Sequence, residues 1–229
     1  MKPFLILERE DAILTVRMDS PETRNALSDP SQMQEFVDLC ANVRTDRSIK
    51  VVVLTGNGPA FCAGGNVKDM RERGGIFAGS PYEVRESYRN GIQRIPLCLY
   101  DLDVPVIAAM NGPAIGAGLD LACMCDVRIA ADTAKFAESF VKLGIVPGDG
   151  GAWLLPRIVG MPRASLMALT GDMIDAQTAL AWGLVTEVVP AAELETAALG
   201  IARRMAANPA HGLRLTKRLL REGQHMRLD

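Results

Sequence analysis

Apolar residues along the chain fall into short blocks of two periods, and their alternation predicts strand, turn and helix in repeating order. Ala12 to Met18 reads as a strand. Ser28 then caps a helix in which Met33, Phe36, Val37, Cys40 and Val43 recur at helical spacing, so that helix buries one face. Val51 to Thr55 is a continuous run rich in β-branched residues and ends at Gly56-Asn57-Gly58-Pro59, the pattern of a strand covered on both faces and then a turn. Pro105 to Met110 reads as a second buried strand. Between them, Gly74 to Ser80 reads as loop. From Tyr82, the positions Val84, Tyr88, Ile92, Ile95 and Leu99 predict a long helix that Pro96 kinks, or ends at Ile95. Further on, Asp175 as N-cap and Gly183 as terminator bracket a helix, and Val185 to Val189 forms a short strand. Helices over Glu193 to Ala207 and Gly212 to Arg221 close the chain.

The tetrapeptide Asn57-Gly58-Pro59-Ala60 recurs as Asn111-Gly112-Pro113-Ala114, each copy after a buried strand and before a small-residue stretch containing Ala-Gly. Two such units in tandem point to a spiral of repeated β/α turns. The first stretch, Phe61-Cys62-Ala63-Gly64-Gly65-Asn66-Val67-Lys68-Asp69-Met70, leaves backbone N–H groups uncovered where a helix begins. The second, Ala114-Ile115-Gly116-Ala117-Gly118-Leu119-Asp120-Leu121, opens a helix whose Leu119, Ala122 and Cys123 face the core, with the positive end of its dipole at the turn. Two amide clusters aimed at one point would make an oxyanion hole, whose donors are worth roughly 3 to 4 kcal/mol each to a transition state. Glycines that serve only tight turns and close packing are the alternative. A dinucleotide fingerprint begins at Gly116-Ala117-Gly118, but Leu121 stands where its third glycine belongs. A P-loop is excluded, since Gly112 to Gly118 has no lysine and no following Ser or Thr.

Composition narrows the class further. The chain has 229 residues, 48% hydrophobic and 23% charged, with a net charge of −2, which fits one sizeable α/β domain and disfavours nucleic acid as a partner. Near the N-terminus the apolar run Phe4 to Leu7 is too short for a signal peptide or a membrane span, so a cytoplasmic protein is expected. The five cysteines lack CxxC spacing, and neither histidine, His211 or His225, lies near them, so no disulfide framework or zinc site is expected. The same late histidines, and the lack of serine in either glycine turn, weigh against a serine hydrolase.

Six motifs in order resemble the enoyl-CoA hydratase/isomerase, or crotonase, family from about Leu14 to Gln224. They are Pro21-Glu22-Thr23-Arg24-Asn25-Ala26-Leu27, Phe61-Cys62-Ala63-Gly64-Gly65, Asn111-Gly112 with Gly116-Ala117-Gly118, Cys125-Asp126, Pro147-Gly148-Asp149-Gly150-Gly151, and Leu169-Thr170-Gly171-Asp172. The resemblance implies an α/β fold, a ClpP/crotonase-like spiral of repeated ββα units over residues 1–190. A C-terminal helical segment follows over 191–229, shorter than family chains usually carry. It also implies a homotrimer or dimer of trimers, an acyl-CoA substrate, no nucleic acid or membrane partner, and no cofactor beyond the coenzyme A of the substrate. By position, the amides of Gly65 and Ala117 would hold the thioester oxygen. Coenzyme A would lie near Arg24, Ala26, Ala63, Asn66 and Lys68, where a cation can meet a phosphate. Arg24 and Lys68 also fit a solvated surface. The acyl pocket would take in Met70, Phe77, Phe140, Leu143 and Trp153.

Moving a proton next to an enolate needs a carboxylate tuned toward neutrality by apolar surroundings. Asp120 stands where similar hydratases carry their first catalytic glutamate; it also fits a residue that merely complements a helix dipole. Phe140 stands where they carry the second, the main departure from that pattern. Glu138 would share its strand face if the stretch is extended, and so substitute for it. Asp149 lies near the acidic position of some isomerases, with a turn-forming aspartate as the alternative. Asp149 alone suits double-bond isomerisation, while Asp120 and Asp149 around a water suit hydration. Retro-Claisen cleavage or a non-catalytic scaffold remain alternatives.

Overall fold

A computed structural model describes residues 2–227. The chain opens with an unforeseen strand, β1 (Leu5–Glu10), which pairs antiparallel with β2 (Ile13–Met18) through a turn at Asp11, φ 52°. Four of the six β1 residues are exposed, so the strand carries no alternating apolar signal. Helix α1 (Pro30–Thr45) follows, and its cap is Asp29 rather than Ser28. The Asp29 carboxylate accepts the Ser31 N–H at 2.8 Å, while Gln32 Oε1 accepts the N–H groups of Ser28 and Asp29, each at 2.9 Å, a reciprocal capping box. Pro30 at the first helical position costs no hydrogen bond there.

Next come β3 (Val51–Gly56), α2 (Val67–Glu72), α3 (Pro81–Asn90) and α4 (Arg94–Tyr100). The predicted long helix therefore breaks at Gly91, not at Pro96. Pro96 occupies the first turn of α4, where its missing N–H would have had no helical partner. The remaining elements are β4 (Val106–Met110), β5 (Ala114–Ile115), α5 (Ala117–Cys123), β6 (Val127–Ala131), β7 (Lys135–Ala137), α6 (Gly151–Val159), α7 (Met161–Thr170), β8 (Met173–Asp175), α8 (Ala176–Trp182), β9 (Glu187–Val189), α9 (Leu194–Ala206) and α10 (Ala210–Glu222). Every residue of α5 is buried, not one face alone. Residues 139–143, which the sequence left as extended or not, form a 3-10 turn.

The main sheet runs β1-β2-β3-β4-β6-β9, parallel from β2 onward, and a smaller one runs β5-β7-β8. The spiral is visible in how successive turns stack. After β3 the chain pairs Cys62 with Ala114, the start of β5; β5 pairs in turn with Phe136 and Ala137 of β7, all in parallel. The repeated tetrapeptides hold these turns together: Asn111 Oδ1 accepts the Gly56 N–H at 3.1 Å, and its Nδ2 donates to the Gly58 carbonyl at 3.0 Å.

Alternation within the buried strands feeds two cores. Val52, Leu54, Val106, Ala108 and Met110 face the side shared with α1 and α4. Val51, Val53, Ile107 and Ala109 face the other, which α9 covers with Leu194, Ala198 and Ala202 at four-residue spacing. Strands buried on both faces need apolar residues at every position, which is the reason these runs are continuous. Among the described residues no helix is long and apolar enough to cross a membrane.

Candidate active site

Both glycine turns meet at the same end of the spiral. The Cys62 carbonyl accepts the Ile115 N–H at 3.0 Å and the Cys62 N–H donates to Pro113 at 3.2 Å, so the two turns share backbone hydrogen bonds. Gly64 and Gly118 permit the approach. A Cβ on Gly64 would stand 2.4 Å from the Ile115 carbonyl oxygen and 3.4 Å from the Ala117 nitrogen; one on Gly118 would stand 2.1 Å from the Cys62 oxygen. Among the described residues, neither the Gly65 nor the Ala117 N–H donates to any acceptor. The Met70 methyl lies over Gly65, 2.6 Å from where a Cβ would be.

The Pro21 to Leu27 motif braces the first turn. Asn25, fully buried and left-handed at φ 56°, donates through Nδ2 to the carbonyls of Asn57, Ala60 and Phe61 at 3.0, 2.9 and 3.2 Å. The Ala63 N–H donates to Arg24 at 2.9 Å, and the Leu27 N–H to Gly64 at 2.8 Å. Ala26 is buried beside them. Asn66 caps α2, accepting the Lys68 N–H at 3.0 Å and donating to Asp69 at 2.8 Å. Sequence reasoning gave Asn25 no role, although an asparagine beside a turn motif is the residue that tolerates a left-handed backbone and satisfies carbonyls at once.

Three carboxyls converge behind the second turn. Asp120 comes from α5, Glu138 follows β7, and Asp149 precedes α6; they are 0%, 1% and 3% exposed. Asp120 contacts both of the others. Among the described residues no donor reaches either oxygen of Asp120 or Glu138, or Oδ1 of Asp149. Ionised carboxylates only accept, so a proton on Asp120 turns one of these contacts into a hydrogen bond and the other needs a second proton. Burial, then the Asp149 charge, then that of Glu138 raises the Asp120 pKa well above the usual carboxylate range. Burial and Asp149 push Glu138 up to about 8, against a lowering contact from Asp120. Burial raises Asp149 too, offset by its hydrogen bond with Asp120. Glu138 thus joins the cluster, but through a tight turn and not through strand alternation with Phe140. The Phe140 ring packs instead on the second turn, 3.6 Å from the Cβ position of Gly116.

Asp149 opens on a mostly apolar cavity of ≈ 460 Å³ lined by Gln93, Pro96, Leu97, Tyr100 and Trp153. A second, of ≈ 630 Å³, lies against Phe77, Val84, Tyr88, Ile145 and Val146. Gln93 and Gly148 belong to both, joined by a Gln93 Nε2 to Gly148 carbonyl hydrogen bond of 2.7 Å. A larger cavity of ≈ 690 Å³, between α6 and α10, holds none of the three carboxyls. Trp153 stands edge-on to Tyr100 at 5.2 Å. Leu143, 40% exposed on its turn, lines neither of these two cavities, nor do Met70 and Phe140, which pack on the glycine turns instead; only Leu143 stands apart from both cavities and turns, against the pocket role expected for it. Tyr88 was read only as a helix-packing position, and Gln93 and Tyr100 carried no signal in the sequence reading.

Stacked β/α turns with unspent amides at two glycine bends define the crotonase fold. The enoyl-CoA hydratase/isomerase family profile matches residues 8–228. Over 229 residues the chain is 35% identical to a 1,2-epoxyphenylacetyl-CoA isomerase of Escherichia coli, covering all of this chain and 86% of that protein. It is 38% identical to a 2,3-dehydroadipyl-CoA hydratase of the same organism, covering 98% and 84%. The solved enoyl-CoA hydratase of Bacillus anthracis superposes with a TM-score of 0.90 at 33% identity over 98% of this chain and 85% of that one. The chain belongs to the enoyl-CoA hydratase/isomerase family.

Proposed function

We propose that the chain moves the double bond of an enoyl-CoA, an isomerase reaction carried by one base. The thioester oxygen takes the Gly65 and Ala117 amides, and enolate charge gathers there as Asp149 removes a proton from the acyl chain. The same carboxyl returns the proton at the other carbon. Asp120, in its acid form, donates to Asp149 and keeps that base oriented. Arg24, Ala26, Ala63, Asn66 and Lys68 border the coenzyme A path, and neither Arg24 nor Lys68 forms an ion pair among the described residues, so both cations are available to phosphate. Met70, Phe140 and Trp153 border the acyl group, with no separate cofactor required.

The observation that carries this reading is that, of the buried carboxyls behind the second turn, Asp149 alone lines the cavity, while Asp120 is sealed behind it. Hydration by this pair would need a water reached by both acids, and Asp120 does not line the cavity that Asp149 faces. Phe140 brings no second acid to that face. Solvent deuterium incorporation into an enoyl-CoA and hydration of crotonyl-CoA, measured side by side, test it. Exchange that outpaces hydration is expected; hydration as the main reaction would overturn the isomerase reading in favour of a hydratase.

A further inference from the structure

We infer that Glu138 is a positioning residue, the terminal acid of a buried three-carboxyl chain that donates to Asp120 and so confines the single negative charge to Asp149 at the cavity. The inference rests on Asp149 being the base.

The geometry is a chain with Asp120 in the middle. Asp120 touches both neighbours, and a Cβ on Gly151 would lie 2.1 Å from Asp120 Oδ1 and 2.5 Å from Glu138 Oε1, so both oxygens crowd one α-carbon. Asp120 has one proton to give. Given to Asp149, it leaves the other Asp120 oxygen as an acceptor, and Glu138 in its acid form is the donor at hand. The other titratable groups facing the cluster are Tyr88 of α3, Cys62 of the first turn and Cys123 of α5, each held neutral by burial, with the first two pushed up to about 12. Among the described residues no lysine, arginine or histidine forms an ion pair or hydrogen bond with Asp120, Glu138 or Asp149. Without a cation, more than one charge here sets like charges in contact. Two protons and one charge are therefore the working state, and Asp149 is the member with access to the cavity.

Ionisation of Glu138 breaks this arrangement. A second carboxylate then competes for the Asp120 proton, Asp149 loses its donor, and an enolate must form beside two negative charges. The rate should fall as pH rises past about 8, the value to which Glu138 is pushed.

Rates of deuterium exchange against pH for wild type, Glu138→Gln and Glu138→Ala test the chain. A glutamine donates but does not ionise, so its alkaline limb should move up by at least about one pH unit while the acid limb stays. Alanine, with no donor, should lose about tenfold in kcat at pH 7 with KM changed less than about twofold, and glutamine should recover most of that loss. A glutamine profile superimposable on wild type, or equal kcat for alanine and glutamine, overturns the inference. If wild type exchanges no deuterium, the proposed function fails instead, and carboxyl carbon-13 titration of the same proteins decides. The Asp120 and Asp149 titrations should then shift in Glu138→Gln, and identical curves would overturn the chain.

Discussion

A single methyl at Gly151 separates a working cluster from a broken one. Its nearest neighbours would be Asp120 Oδ1 at 2.1 Å and Glu138 Oε1 at 2.5 Å, neither of which has room to retreat in a buried site. Gly151→Ala is expected to destabilise by about 1 to 3 kcal/mol, which lowers the melting temperature by roughly 2 to 4 °C per kcal/mol. It should also abolish exchange, and calorimetry beside the isotope assay checks both. Asp149→Asn removes the base and should cost at least about a hundredfold in kcat, more than Glu138→Gln costs. Equal rates for Asp149→Asn and wild type would take Asp149 out of the reaction. Asp120 and Asp149 were legible through the family resemblance, which puts an acid at or near each of these positions. Glu138 was legible only as an alternative, since strand alternation was the wrong reason for it: residues 139–143 coil, and burial comes from the turn.

Helix α10 inverts the usual rule for a surface helix. Its one buried residue is Lys217, which pairs with Asp126 at 2.7 Å and donates to the Val104 carbonyl at 2.7 Å, while Leu215, Leu219 and Leu220 are exposed. Arg214, Lys217 and Arg221 share that inner face; Arg221 also meets Asp126 at 2.8 Å and the Met124 carbonyl at 3.2 Å, just past α5. Cations suit carbonyls at helix C-termini, so α10 docks by charge where α9 docks by apolar area. Lys217→Ala leaves Asp126 partly buried with one partner fewer and should cost about 3 kcal/mol, read from urea denaturation. A change within about 0.5 kcal/mol would mean that α10 is held otherwise. The sequence reading placed this helix to within two residues at its start and one at its end, but said nothing of how it is held. The buried strands were readable for the opposite reason, because there every position is apolar. β1, β5, β6, β7 and β8 went unread, being short, polar on one side, or both.

The carboxyl cluster also sets how the whole molecule responds to pH. An unfolded chain ionises Glu138 near 4.5, while the native state keeps its proton up to about 8. Between these values the native state binds more protons, so unfolding free energy falls as pH rises across that window. Asp120 and Asp149, raised in the same direction, add to the slope. Glu138→Gln should flatten it and leave the variant more stable than wild type at pH 8, with the gap narrowing at pH 5. Denaturation curves at both values check this, and parallel slopes for the two proteins would refute it. Stability given up at neutral pH for buried acids is a common mark of sites kept for chemistry.

The Gly65 and Ala117 amides have a different kind of permanence. A peptide N–H survives every exchange of side chain except to proline, and its direction follows from where the chain runs. The side chains around the bends carry no such guarantee, and by the family resemblance Phe140 stands where similar hydratases have a glutamate. One way of gripping a carbonyl can therefore outlive many changes in what is done to the carbons beside it.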